Sequence, residues 1–197
     1  MRFLVLLYCF LFTFPGLFSQ GAGDEIRFRG GMMLHTGYVK NARTENTING
    51  ICKGLGGQLT YTIAPQLRIG TEGYASSYGY PHQEGYYRLG WGGLLIGYQT
   101  GRKRLHFVSG ITIGGGTVKD LFFIGQDTAE SGIQNVVYRR YSSFLVVPAA
   151  SLEYTAGTRL TCVLKLDYIL PFFNSHHSDY AYGPRVYFGI LFNRDKE

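Results

Sequence analysis

The chain has 197 residues, enough for one domain, and its formal net charge at pH 7 is +6. Hydrophobic residues make up 45% and charged residues 16%, which excludes an intrinsically disordered chain. The 28 glycines and 16% aromatic residues exclude a coiled coil or an ordinary helical bundle, and three cysteines exclude a disulfide-dense scaffold. The net positive charge does not indicate a nucleic-acid partner, because the sequence places no stripe of basic and aromatic residues on a solvent-facing surface.

The first 19 residues have the layout of a secretory signal peptide. Arg2 supplies a positive charge, and a nearly continuous apolar run follows from Phe3 to Phe14. This run is shorter than the roughly 20 residues that a membrane-spanning helix needs, although an N-terminal anchor is the alternative. We expect residues 1–19 to be removed on export, which leaves residues 20–197 as the mature domain.

Alternation of apolar and polar residues with a period of two predicts a protein made of β-strands. In the first segment, Phe28, Met32 and Leu34 share one face, while Arg29 and His35 share the other. Seven further segments follow the same rule. The eight predicted strands are residues 26–38, 51–63, 66–78, 87–99, 105–118, 141–154, 160–170 and 184–193.

The connections between these strands alternate strictly between short and long. The short turns are residues 64–65, 100–104 and 155–159, and the long loops are residues 39–50, 79–86, 119–140 and 171–183. Transmembrane β-barrels have short periplasmic turns and long extracellular loops. The sequence therefore predicts an all-β fold, an eight-stranded antiparallel up-and-down transmembrane β-barrel.

The strand count and loop pattern resemble the small eight-stranded outer-membrane β-barrels of the OmpA/OmpX type and the porin-like barrels of Bacteroidetes. This resemblance implies a location in the outer membrane of a Gram-negative bacterium, with outer-membrane lipid and lipopolysaccharide as partners. The alternation of Val186, Phe188, Ile190 and Phe192 also resembles the C-terminal signal that the outer-membrane insertion machinery reads. Five residues follow that signal here, where it normally ends the chain.

Charged residues decide which face of each strand is turned toward lipid. Lys165 and Asp167 share one face of the seventh strand, and a basic residue at the middle of the membrane costs about 2–4 kcal/mol. We therefore expect the charged faces to line the lumen and their opposite charges to pair and plug it. The predicted lumen network is Arg27, Arg29, Arg68, Glu72, Arg88, Glu153, Lys165, Asp167 and Arg185.

Two strands do not follow the pattern along their full length. If Arg88 faces inward with Leu89 and Trp91 outward, the later apolar residues of the fourth strand also point inward. A bulge at Gly92-Gly93 would restore the alternation. In the sixth strand, Pro148 cannot donate a ladder hydrogen bond, so it must lie at a bulge or be compensated.

The loop of residues 119–140 is the longest connection and is rich in apolar residues. We expect part of it to extend the fifth and sixth strands as a hairpin beyond the membrane. The predicted surface for a ligand or partner consists of Phe122, Phe123, Tyr80, Tyr86 and Tyr180. The alternative is that these residues pack against neighbouring loops or lipopolysaccharide.

One cluster of polar residues could support acyl transfer. His176, His177, Ser178 and Asp179 combine a base, a nucleophile and an acid, and the His-x-Ser spacing resembles that of the lipid A deacylase barrels. Asp179 replaces the Asn of that motif, and the group lies in a predicted loop rather than on a strand. A polar loop tip is the simpler interpretation, and no third ligand accompanies the histidines for a metal.

The sequence therefore favours a non-enzymatic outer-membrane barrel with a structural or surface-binding role carried by its extracellular loops, without a cofactor. The alternatives are a narrow pore and a lipid A-modifying acyl hydrolase. A soluble lipocalin-like carrier would need an apolar lumen and a charged exterior, the inverse of the pattern around Lys165 and Asp167.

Overall fold

The structure, a computed structural model, describes residues 28–41, 48–80, 85–102, 104–124, 135–172 and 180–194. Nine β-strand segments make up these ranges: β1 (Phe28–Lys40), β2 (Asn49–Ala64), β3 (Leu67–Gly79), β4 (Gly85–Arg102), β5 (Leu105–Ile124), β6 (Asn135–Ala156), β7 (Leu160–Tyr168), β8 (Leu170–Phe172) and β9 (Pro184–Arg194). In this part of the chain, no helix has the length and apolar character to cross a membrane.

The strands form a closed antiparallel ring. β1 to β6 each pair with the next strand in the chain, and β6 then pairs with both β7 and β8. β9 pairs with β7 and with β1, which closes the ring. Since β7 and β8 are two parts of one barrel strand, the predicted eight-stranded barrel is confirmed. A closed ring leaves no edge strand with unpaired backbone groups in lipid.

Pro148 explains why one barrel strand is split into β7 and β8. On the β5 side, Pro148 pairs with Ile111 in an unbroken register, so no bulge occurs there. On the other side, the ladder is interrupted between the Ala149–Asp167 and Val146–Leu170 pairs. Because proline has no N–H to donate, the sheet accommodates it by a local break in the neighbouring strand, without a shift in register.

The outer face of the ring is apolar and the inner face is mainly polar. Met32, Leu94 and Phe188 are each more than 60% exposed on the outside. At the periplasmic end, an outward-facing aromatic row is formed by Tyr61, Tyr98, Phe107, Tyr154 and Phe192. A continuous apolar belt ending in aromatic residues matches the lipid-facing surface of a transmembrane barrel.

The orientation of the first half of β4 is the reverse of the predicted one. Leu89 and Trp91 are buried in the interior, whereas Arg88 is exposed on the outer surface. The pairing of β4 with β3 and β5 is unbroken through Gly92-Gly93, so the predicted bulge is absent. The prediction that Arg88 belongs to the lumen network is wrong because this end of β4 projects beyond the apolar belt, where an outward charge is not placed in hydrocarbon.

β5 and β6 form the longest hairpin of the barrel. Their pairing continues without interruption to Ile124 and Asn135, the last described residues before the loop tip. The predicted extension of these strands into residues 119–140 is therefore confirmed. The remaining loop tips lie outside the described residues.

Candidate functional site: the barrel interior and its extracellular mouth

The periplasmic half of the lumen contains a buried ion cluster. Arg29 Nη1 donates a hydrogen bond to Glu153 Oε2 at 2.6 Å, and Arg68 Nη1 donates to both oxygens of Glu153 at 2.8 Å. Arg68 Nε also donates to Gln99 Oε1. All three charged residues are at most 4% exposed. Such charge-assisted hydrogen bonds hold side chains from β1, β3 and β6 together across the lumen.

A second buried ion pair lies further up the lumen. The Lys165 ammonium contacts Glu72 Oε2, and the Thr112 hydroxyl donates to the other oxygen of Glu72 at 2.5 Å. The ring centroids of Tyr74, Tyr187 and Trp91 lie 5.0, 5.3 and 5.9 Å from Lys165 Nζ. The attraction of a desolvated ammonium to these rings adds to the ion pair.

Sequence reasoning missed this aromatic cage although it identified the two charged partners. Tyr74 lies on the same inward face of β3 as Glu72, and Tyr187 lies on the same inward face of β9 as Arg185. Strand alternation could therefore have located both tyrosines. Trp91 could not be found in this way, because the predicted orientation of β4 placed it in lipid.

Asp167 and Arg185 are also buried, and they are cross-strand neighbours of β7 and β9. Arg185 donates long hydrogen bonds to the carbonyl oxygens of Ala181 and Gly183, at 3.4 and 3.5 Å. Neither oxygen of Asp167 has a hydrogen-bond partner among the described residues, although Lys165, the Tyr187 hydroxyl and Arg185 are its polar neighbours. The predicted pairing of opposite charges therefore holds for Glu153 and Glu72 and not for Asp167.

Little space remains between the two ion clusters. A cavity of about 20 Å³ is lined by residues that include Gln58, Arg68, Glu153 and Lys165. This volume is close to the minimum that one water molecule needs. The interior of the barrel is therefore filled by side chains at this level.

The extracellular mouth is closed by tyrosines and apolar side chains. Tyr180 is fully buried, and its hydroxyl donates to the Gly116 carbonyl oxygen at 3.1 Å. The backbone N–H of Ala181 donates to the Tyr87 hydroxyl at 3.0 Å. Tyr80 donates to Asp120 Oδ1 at 2.7 Å. The bonds of Tyr180 and Ala181 fix the segment that precedes β9 across the top of the lumen.

The predicted binding surface is only partly exposed. Phe122 is 4% exposed and Tyr180 is buried, so their assignment to that surface is wrong. Phe122 lies on the inward face of β5, because inward and outward side chains continue to alternate in the part of β5 beyond the membrane. Tyr80, Tyr86 and Phe123 are half-buried. The well-exposed apolar residues of the described part of the hairpin are instead Val136 and Tyr138, at 53% each.

Several predicted residues lie outside the described part of the chain. They are Arg27 of the lumen network, the signal peptide at residues 1–19, and the group His176, His177, Ser178 and Asp179. Within the described ranges, no three His, Cys, Asp or Glu side chains are grouped closely enough to hold a metal ion.

Comparison with solved structures identifies barrels of the same kind. The chain is similar to Neisserial surface protein A, with a TM-score of 0.59, 11% identity, and coverage of 87% of this chain and 99% of that chain. It is also similar to Ail, the attachment invasion locus protein of Yersinia pestis, with a TM-score of 0.56, 9% identity and coverage of 85% and 99%.

The outer membrane protein OprG from Pseudomonas aeruginosa is a third similar structure, with a TM-score of 0.51, 13% identity and coverage of 86% and 95%. No family model matches the chain, and no curated protein matches it in sequence. At these identities the likeness concerns the fold, and it confirms the predicted resemblance to small outer-membrane barrels. The chain has the fold and the apolar outer belt of an outer-membrane β-barrel.

Proposed function

We propose that this chain is a non-enzymatic outer-membrane protein that presents its β5–β6 hairpin to a partner outside the cell. The observation that carries this proposal is the length of the hairpin. β5 and β6 remain paired beyond the buried mouth residues, up to Ile124 and Asn135. A paired hairpin on a closed barrel is a rigid support, and rigid scaffolds commonly carry binding function on such projections.

The chemistry of the hairpin suits an interaction surface. Val136 and Tyr138 expose apolar side chains on its outer face, and Lys119 and Arg140 are exposed next to them. Exposed apolar surface bordered by charge is typical of sites that contact other molecules. The partner that best fits this surface is partly apolar and carries negative charge.

The filled lumen argues against the pore as the main function. Two ion clusters, the aromatic cage and the mouth tyrosines lie one above another along the barrel. None of the described residues favours the acyl hydrolase, and the histidine group that motivated it lies outside the described residues. We therefore assign the binding role to the surface and not to the interior.

An adhesion assay tests the proposal. The similar protein Ail is described as an attachment protein and has been solved with the heparin analogue sucrose octasulfate. Cultured animal cells and immobilised heparin are therefore the first two surfaces to use. We expect bacteria that display the wild-type barrel to be retained several-fold more than bacteria that display V136S/Y138S or a deletion of residues 126–134.

The matched control is L164S/L166S, which removes two exposed apolar side chains from the lipid-facing part of β7. This control variant addresses assembly and expression, because its changes lie away from the hairpin. Equal retention of wild-type and hairpin variants on both surfaces, at equal surface levels, would contradict the proposed role of the hairpin.

Assembly in the outer membrane is measured separately. We expect the wild-type protein and the deletion variant to fractionate with outer membranes and to resist carbonate extraction. Both should migrate faster on detergent gels before boiling than after it, because a closed barrel resists mild detergent. Recovery in the soluble periplasmic fraction would contradict an outer-membrane role for this chain.

A further inference from the structure

We propose that the outer surface of β4, β5 and β6 binds a phosphorylated, acylated lipid of the outer leaflet. Arg88, Lys119 and Arg140 are direct cross-strand neighbours on three adjacent strands. All three are exposed on the outer face of the barrel. Side chains at such positions lie about 5 Å apart at their Cβ atoms, so three cations converge on one small area.

This cationic row has an electrostatic cost that an anion would remove. Like charges placed directly opposite one another destabilise a sheet. Glu72 and Glu153 form ion pairs in the lumen, and the three cations of this row form no ion pair with any residue that the structure describes. Asp120, the neighbour of Lys119 in the chain, is buried on the opposite face. Because no described residue supplies the counter-charge, we expect a bound group to supply it.

The height of the row places it at the level of lipid headgroups. Toward the periplasm, the outward face of β4 continues with Leu94 and Ile96, which belong to the apolar belt. Toward the outside, the next outward residue of β4 is Tyr86, whose ring centroid lies 4.5 Å from the Arg88 guanidinium carbon. The row thus lies where the apolar belt ends, and phosphate groups of lipids occupy that boundary.

Hydroxyl groups lie immediately below the cations. The next outward row toward the membrane contains Gly90, Thr117 and Ser142. Thr117 Oγ1 and Ser142 Oγ are 2.9 Å apart and share a hydrogen bond. Hydroxyls can both donate and accept, so they suit the sugar or ester oxygens of a lipid headgroup.

A shallow groove rich in glycine continues from the hydroxyls toward the apolar belt. It has a volume of about 580 Å³, and its outward-facing residues are Gly90, Gly92, Gly115, Thr117, Ser142 and Phe144. A Cβ atom added at Gly90 would meet nothing within 4 Å, and one added at Gly115 would meet only the Ser143 carbonyl oxygen at 3.8 Å. Packing within the barrel therefore does not require glycine at these two positions.

The combination fits a lipid better than a second copy of the chain. Three cations, two hydroxyls and a glycine-lined groove beside Phe144 follow one another from the headgroup level into the belt. The phosphate, the sugar or ester and the acyl chain of a lipid follow in the same order. A symmetric contact between two copies would bring the cationic rows close together. The lipid class that matches all three levels is a phosphorylated glycolipid such as lipid A.

Titration of the purified full barrel with bisphosphorylated, hexa-acylated lipid A tests this proposal. The fraction of protein that carries lipid is measured by native mass spectrometry. We expect R88Q/K119Q/R140Q to bind about tenfold more weakly or worse than wild type, because each lost charge contact weakens binding about two- to fivefold. The control R104Q/R159Q/R194Q removes three exposed charges at the periplasmic end and should bind as wild type does.

The groove is tested with Gly115→Leu, which fills it from the outside. We expect several-fold weaker binding of lipid A, while Thr71→Leu on the outer face of β3 has no effect. Two further ligands separate the contributions. Lipid A without phosphates should bind the wild type as weakly as complete lipid A binds the triple variant. The deacylated bisphosphorylated disaccharide should bind weakly, and Gly115→Leu should not change its affinity.

Three results would overturn the proposal. Wild-type affinity in the triple variant would show that the cations do not hold the phosphates. Equal affinity for the lipid and its deacylated headgroup would show that the groove holds no acyl chain. A wild-type dimer that dissociates in Gly115→Leu without a change in lipid binding would assign the groove to a second copy. Lys119 and Arg140 border both surfaces, so the hairpin variant V136S/Y138S separates the two tests: it should lose adhesion and bind lipid A normally.

Discussion

The ammonium group of Lys165 is almost completely removed from water, and its surroundings replace hydration in two ways. Glu72 supplies the opposite charge, and the rings of Tyr74, Trp91 and Tyr187 surround the ammonium. A buried charge without a partner is far more costly than a buried pair. The pair is therefore sensitive to the loss of one member and tolerant of the loss of both.

This asymmetry leads to a prediction for single and double variants. Lys165→Met should lower the free energy of unfolding by about 3–5 kcal/mol, because it leaves the Glu72 carboxylate buried and unpaired. The double variant K165M/E72Q should recover much of that loss, since neither remaining side chain carries a charge. Urea-induced unfolding of the barrel in lipid vesicles measures both.

Arg159→Gln serves as the control, because Arg159 is exposed in a short turn and should change stability by less than about 0.5 kcal/mol. If K165M and K165M/E72Q were equally destabilised, the ion pair would not be the source of the effect. Loss of packing against the aromatic cage would then explain the result.

At the scale of the strands, two consecutive glycines of β5 have different roles. Gly114 faces inward, and a Cβ there would lie 2.0 Å from the Gly92 carbonyl oxygen. Gly115 faces outward into the groove, where the nearest atom to a Cβ is 3.8 Å away. Close packing against β4 therefore requires glycine at position 114 and not at position 115.

Alanine substitution should therefore have opposite effects at neighbouring residues. Gly114→Ala should destabilise the barrel by about 1–3 kcal/mol, because β4 must move to relieve the overlap. Gly115→Ala should be neutral or stabilising by up to about 1 kcal/mol, since it reduces the flexibility of the unfolded chain without a clash. The measurement is again urea-induced unfolding, and equal destabilisation by both variants would contradict the assignment.

The same strands show how far the sequence alone could lead. Within the membrane, a charged residue in hydrocarbon is so costly that Lys165 and Asp167 fix the orientation of β7 without ambiguity. Beyond the membrane this cost disappears, and the rule fails. Arg88 is therefore turned outward and Phe122 inward, both against the prediction. The apolar mouth could not be recognised, because it needs the closed ring to bring its residues together.

For the whole molecule, the important property is that the lumen is closed at more than one level. The Arg29–Arg68–Glu153 cluster blocks the periplasmic half, and a cavity of about 20 Å³ lies between it and Lys165. Above these lie the aromatic cage and the tyrosines of the mouth. Closures in series mean that removal of one does not open a continuous aqueous path.

We therefore expect no steady conductance from the wild-type barrel in planar lipid bilayers. The double variant R68A/E153A removes most of the lower cluster and leaves Arg29 without its carboxylate partner. It should also remain closed, because Trp91, Tyr187 and Tyr180 still fill the upper lumen. A porin inserted into the same bilayer provides the positive control for insertion and recording. Steady single-channel currents from the wild-type protein would overturn the filled lumen and favour the pore. Currents confined to R68A/E153A would show that the lower cluster alone closes the barrel and that the aromatic residues above it leave a path for ions.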